Sequence, residues 1–101
     1  MEQRIEMDRY GNKCYYNGQN KLHREDGPAV ERPDGYKEWW INGVQNRLDG
    51  PAVEYSDGRK DWWINGEYLT KKDFNKFTKS LVGANILIGK KLYKISVSPV
   101  K

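Results

Sequence analysis

The sequence predicts a mainly β (α+β) fold: an antiparallel meander of repeated β-hairpins, a C-terminal amphipathic helix, and a terminal strand or hairpin. Three observations carry this. The stretch Asp26–Gly43, DGPAVERPDGYKEWWING, returns at Asp49–Gly66 as DGPAVEYSDGRKDWWING, 23 residues on, and differs only at Arg32/Tyr55, Pro33/Ser56, Tyr36/Arg59 and Glu38/Asp61. Each copy places Asp-Gly and Asn-Gly steps between runs rich in Val, Trp and Ile, the strongest short-range signal for hairpins. Helical spacing of apolar residues, at Phe74, Phe77 and Leu81, begins after the second copy ends.

A degenerate first copy covers residues 4–25, and full copies cover 26–48 and 49–66. In RIEMDRYGNKCYYNG, Gly11 aligns with Gly35, Tyr15-Tyr16 with Trp39-Trp40, and Asn17-Gly18 with Asn42-Gly43; one residue is missing where Ile41 stands. A terminal repeat is often atypical because it caps the stack. Within each full copy, Asp34-Gly35 or Asp57-Gly58 should turn the chain between PAVE and the Trp strand. Asn42-Gly43 or Asn65-Gly66 should turn it again, and Asp-Gly-Pro closes the unit, Pro being suited to a turn or a strand start. Neighbouring strand residues point to opposite faces. Trp39 and Trp62 are therefore expected on one face and Trp40 and Trp63 on the other, as two aromatic ladders. One ladder builds a core; the other is covered by something or stays exposed.

The cover is expected from the tail, which with the helix spans 67–101. In TKKDFNKFTKSL, Thr70 and Asp73 form a start resembling a capping box, and Gly83 is placed to stop the helix. Two β-type runs follow, Ile86–Ile88 and Leu92–Val97, around Gly89. LYKISV alternates apolar and polar residues, as an edge strand with lysines in water would.

A chain of 101 residues is one domain, and it buries only ~60–65% of its unfolded surface. Its 32% charged content and mean hydropathy of −0.99 would suit partial disorder. The four Trp, seven Tyr and two Phe argue otherwise, since each covers ~150–250 Å² when buried. The single cysteine, Cys14, excludes an internal disulfide and fits a reducing, cytoplasmic setting. MEQRIEMDRYGNK has no apolar run of a signal peptide, and no stretch reaches the ~20 apolar residues of a membrane span. Residues 1–66 carry a net charge of −2 and residues 67–101 a net +6, so the tail holds all of the +4 excess.

HREDGPAVE, DGPAVE, WWING and the exit NGEYLTKKDFNKF resemble small repeat proteins of tailed bacteriophages and giant viruses, and are similar to the variant MORN repeat. The resemblance runs from Gly11 to about Phe77. It implies a hairpin-repeat sheet, a viral source and a binding scaffold; it implies no activity. The first copy is degraded, the second has VQNRLDGPA in place of the His-Arg of Leu22-His23-Arg24, and the lysine-rich end lies outside the pattern.

The residues offer little to catalysis. His23 stands alone before a turn, and Cys14 beside Tyr15 reads as packing; neither pairs with a base or falls at metal-ligand spacing. Asp26, Asp49, Asp34 and Asp57 read as turn formers. Glu31 and Glu54 recur together because the repeat does, which weakens any reading of them as a glycosidase pair. No enzyme activity, cofactor or metal is expected. Two binding features remain. The aromatic face, Tyr36, Trp40, Tyr55 and Trp63, carries the side chains favoured as interface anchors. The tail lysines, Lys71, Lys72, Lys76, Lys79, Lys90 and Lys91, could meet phosphate or an acidic surface. The expected function is a non-enzymatic protein-binding module, a phage-encoded accessory protein that blocks a host factor such as a CRISPR–Cas or other defence complex. The alternative is a nucleic-acid-binding protein using the lysine tail and stacking aromatics. The expected partner is a host protein or ribonucleoprotein complex, with no membrane, and the protein is a monomer or a homodimer, since so few repeats leave sheet edges unpaired.

Overall fold

The computed structural model describes residues 3–80, together with the backbone of 85–88 and 91–94. In chain order the elements are β1 (Arg4–Met7), β2 (Lys13–Tyr16), β3 (Val30–Glu31), β4 (Lys37–Glu38), β5 (Trp40–Ile41), β6 (Val44–Gln45), β7 (Val53–Glu54), β8 (Lys60–Ile64), β9 (Glu67–Leu69), α1 (Lys71–Ser80), β10 (Asn85–Ile88) and β11 (Lys91–Lys94). One antiparallel sheet runs β1-β2-β3-β4-β7-β8-β9; β5 pairs with β6 and β10 with β11 as separate hairpins. The antiparallel hairpin meander with one helix is therefore present. The expected helix stop at Gly83, the turn at Gly89 and the strand beyond Lys94 lie outside the described residues, as does Leu81.

The meander runs in two lanes, a feature a simple up-and-down reading does not contain. In each full copy the Trp strand crosses both. Its first half pairs with Val-Glu strands: β4 lies between β3 and β7, and Lys60-Asp61 lies against β7. Its second half turns back through Asn-Gly, pairing Ile41 with Val44 and Ile64 with Glu67. The lanes part at the first aromatic residue. The Trp39 N–H donates to the Ala52 carbonyl (2.8 Å), and the Trp39 carbonyl accepts from the Asn46 N–H (3.2 Å). Tyr15 does the same one copy earlier, with Ala29 (2.8 Å) and His23 (2.9 Å). Further bonds recur with the 23-residue period: Arg24 N–H to the Trp40 carbonyl and Arg47 N–H to the Trp63 carbonyl, both 3.1 Å.

Two kinds of turn hold the lanes. At Asn42-Gly43 and Asn65-Gly66 both residues have positive φ (49° and 80°; 50° and 80°), as a two-residue hairpin loop of the primed type requires. The Asp-Gly turns are one residue longer, with glycine alone at positive φ. Gly35 N–H donates to the Arg32 carbonyl and Arg32 N–H to the Tyr36 carbonyl, so three residues close a type I turn ending in a left-handed Gly35 (φ 97°). Asp34 keeps an ordinary φ and instead accepts the Tyr36 N–H (3.0 Å). Gly58 (φ 94°) and Asp57 repeat this; the degenerate copy closes the same backbone turn at Gly11 (φ 87°), but Tyr10 stands in place of Asp34, and Asp8, at the position of Arg32, accepts the Tyr10 and Asn12 N–H groups. Where Ile41 has no counterpart, the first copy reverses over a longer loop, with Asn20 left-handed (φ 61°) and the Asn17 side chain accepting from the Gln19 and Lys21 N–H groups.

An arginine clamps each Asp-Gly-Pro corner. Arg24 donates to Asp26 (3.0 Å) and the Pro28 carbonyl (3.2 Å), and its guanidinium lies 4.1 Å from the Tyr15 ring centre. Arg47 donates to Asp49 (2.9 Å), the Pro51 carbonyl (2.9 Å) and Glu54 (3.1 Å), 3.7 Å from the Trp39 ring. The His-Arg pattern that seems absent from VQNRLDGPA is thus present in function. Arg47 replaces Arg24, and Asn46 replaces His23: the His23 Nδ1 accepts the Asn42 N–H (2.9 Å), and the Asn46 Oδ1 accepts the Asn65 N–H (3.1 Å).

Tyr15, Ala29, Val30, Ala52 and Val53 are buried along the repeats, and a packed cluster lies toward their C-terminal end. Ile41, Leu48, Trp62, Ile64 and Phe74 form one buried cluster, with Leu69 packed on it. α1 begins as its sequence suggests, with the Thr70 hydroxyl accepting the Asp73 N–H (3.1 Å). Phe74 is fully buried, its ring centre 6.3 Å from that of Trp62.

Candidate functional site

β8 decides which aromatic ladder the helix covers. Trp62 and Ile64 share one face and pack under Phe74, while Asp61 and Trp63 share the other. The register carries that second face across the sheet: Asp61 opposes Val53, Val53 opposes Glu38, and Glu38 lies between Tyr36 and Trp40 on the same side. The face turned away from the helix therefore holds Tyr36, Trp40, Tyr55 and Trp63. All four are half-buried, not fully exposed as an open ladder would be.

Their burial comes from one another. Tyr36 and Tyr55 meet edge to face, with ring centres 5.5 Å apart. The Tyr36 hydroxyl donates to Glu38, whose other oxygen accepts the Trp40 indole N–H (2.7 Å). The Tyr55 hydroxyl donates to Asp61 (2.8 Å). Trp63 packs edge to face on Tyr68 at 5.6 Å, which is itself exposed. Arginines lie over both tyrosine rings: Arg32 over Tyr36 (4.2 Å) and Arg59 over Tyr55 (4.4 Å). Burial, then the bond to Glu38, pushes the Tyr36 phenol well above its ordinary pKa of 10.0. The bond to Asp61, then burial, raises Tyr55. Both phenols stay protonated through the neutral range and act as donors held in place.

Three of the four positions at which the repeats differ build this cluster. Arg32 and Tyr36 in one copy become Tyr55 and Arg59 in the next, so each hairpin keeps one cross-strand Arg–Tyr pair. The exchange sets the two tyrosines side by side, because β4 pairs with β7. Glu38 and Asp61 then each take one hydroxyl. The matches between copies predicted the fold; the mismatches carry Arg32, Arg59, Glu38 and Asp61, which residue type alone does not single out, and Tyr68 lies beyond the second copy.

The lysines lie elsewhere. Lys71, Lys72, Lys76 and Lys79 are exposed on α1, which docks on the opposite face of β8 through Phe74. Lys90 lies outside the described residues, as does the Lys91 side chain. The aromatic face and the helix lysines therefore do not form one surface. The His23 Nε2 lies 3.6 Å from Glu25, and Glu31 and Glu54 face Arg24 (3.6 Å) and Arg47 (3.1 Å). Among the described residues no three His, Cys, Asp or Glu side chains gather as a metal site needs, and no helix is long and apolar enough to cross a membrane. No family model matches the chain, and neither does any curated protein or solved structure.

Proposed function

We propose that the protein is a non-enzymatic protein-binding module that docks through the face bearing Tyr36, Trp40, Tyr55, Trp63 and Tyr68. The observation that supports this best is the preorganisation of these rings. Glu38 and Asp61 fix three of the polar tips, and Arg32 and Arg59 lie on two of the ring faces. Aromatic anchors held before docking lose little conformational freedom on binding. The resemblance to viral repeat proteins makes the partner a host protein or ribonucleoprotein complex, such as a CRISPR–Cas or other defence assembly, blocked sterically.

Affinity capture from host lysate, with mass spectrometry of the retained proteins, tests the reading. Trp40→Ala/Trp63→Ala should lose the partner while a Lys71→Glu/Lys72→Glu/Lys76→Glu/Lys79→Glu variant keeps it. Retention by a folded Trp40→Ala/Trp63→Ala protein would sink the aromatic face as the anchor. The exposure of all four helix lysines favours a second reading, nucleic-acid binding through the tail. That reading predicts the reverse pattern and an affinity that falls steeply with salt.

A further inference from the structure

We propose that β1 is a dimerisation edge, pairing antiparallel with β1 of a second copy across a two-fold axis at Ile5. The first support is the backbone. Tyr15 spends its N–H on Ala29 and its carbonyl on His23, so Ile5, directly opposite it, exchanges no hydrogen bonds with β2. By the two-residue alternation of an antiparallel ladder, the N–H and C=O groups of Gln3, Ile5 and Met7 all point to the open edge. The second support is exposure: Ile5 and Met7 are 56% and 61% exposed, on a strand with every residue at the surface.

The third support is self-complementarity, which selects the occupant. With Ile5 opposite Ile5 of the partner, Gln3 meets Met7, and the three outward-pointing residues of each strand bond in full. Arg4 then stands opposite Glu6 of the other chain, twice, in the non-hydrogen-bonded pairs where side chains approach most closely. Arg4 and Glu6 already share the face that this requires, since they bridge each other at 2.8 Å within the strand. Shifting the register by two residues sets Glu6 against Glu6. A symmetric pairing of this kind closes on itself and cannot grow into a fibre. It also turns the same sheet face of both protomers to the same side.

The contact is small, so dissociation is expected on the order of 100 μM. Sedimentation equilibrium of the full chain across that range should show a species of twice the 11.9 kDa protomer. Arg4→Glu sets Glu against Glu at both pairs, and Glu6→Arg sets Arg against Arg. Each variant should weaken the dimer by about ten- to thirtyfold, with circular dichroism unchanged. Mixing the two variants in equal amounts should restore it, because every pair is then opposite in charge, and so should the double exchange in one chain. The proposal falls if the wild type stays monomeric at 1 mM, or if either single variant dimerises as the wild type does. It also falls if mass keeps rising past the dimer, which would mean head-to-tail pairing of β1 with β9. None of these outcomes depends on the aromatic face binding a partner.

Discussion

Trp39 and Trp62 occupy the same position in two near-identical repeats, yet different lids cover them. Over Trp39 lies the guanidinium of Arg47, which the next corner supplies. Over Trp62, where no further repeat follows, lies Phe74 of α1. The arginine lid is a polar group doing several tasks: it stacks, bonds a backbone carbonyl and pairs with Asp49 and Glu54, and it leaves Trp39 half-buried. The helix lid is apolar and buries its tryptophan more deeply, but the Trp62 indole N–H has no partner among the described residues. An array interior can thus be closed by a single repeated side chain, whereas its end needs an element from outside the repeat.

Breaking the helix lid should cost most. Phe74→Ala is expected to destabilise by about 3–5 kcal/mol, read by chemical denaturation. The loss should appear in Trp62 fluorescence and helix ellipticity together. Removing the arginine lid should cost less: Arg47→Ala is expected to lose about 1.5–3 kcal/mol, the range for hydrogen bonds to a charged group. Arg24→Ala should lose a similar amount if the two corners are equivalent, and a cost at Arg24 near zero would show that they are not. Next come the turns that both repeats share. Gly35→Ala and Gly58→Ala meet no atom within 4 Å, so their cost is backbone strain alone, about 1–2 kcal/mol each, and it should be equal in the two copies. The smallest expected effect is in alkali. Tyr36 and Tyr55 have raised pKa values, so the folded state holds their protons longer than the unfolded one. Their contribution is complete below pH 10 and is lost as the pH climbs through the folded values. Tyrosinate absorbance should rise later in the folded protein than in urea, and Tyr36→Phe should remove part of that delay.

Much of the fold was legible because turns and alternation are local. Asp-Gly, Asn-Gly and the Thr70 cap declare themselves within a few residues, and helix and hairpins follow. The two lanes were not, because they depend on which distant carbonyl Trp39 finds, here that of Ala52. The side chosen by the helix was readable in principle. Ile64 lies two residues from Trp62 and so shares its face, while Asp61 and Asn65 flank Trp63; the polar neighbours marked the outer ring. Tyr36, Trp40, Tyr55 and Trp63 were found from residue type. Their half-burial was not, because it arises from ring-on-ring contacts, from Glu38 along its own strand, and from Asp61, Arg32 and Arg59 reaching across strands.

The exchange of Arg32/Tyr36 for Tyr55/Arg59 bears on how the chain finds its own shape. Two almost identical repeats present every strand with a decoy: β8 opens with the same Lys-acid pair as β4, and β3 could anneal to either. Arg32 weighs against the decoy. Against Tyr36 it meets an aromatic ring; against the decoy it would meet Arg59, and like charges facing each other across strands repel. Misassembly between repeats is a characteristic failure of such proteins. A swap of two letters thus biases β3 toward its own partner strand while the rest of the sentence stays the same.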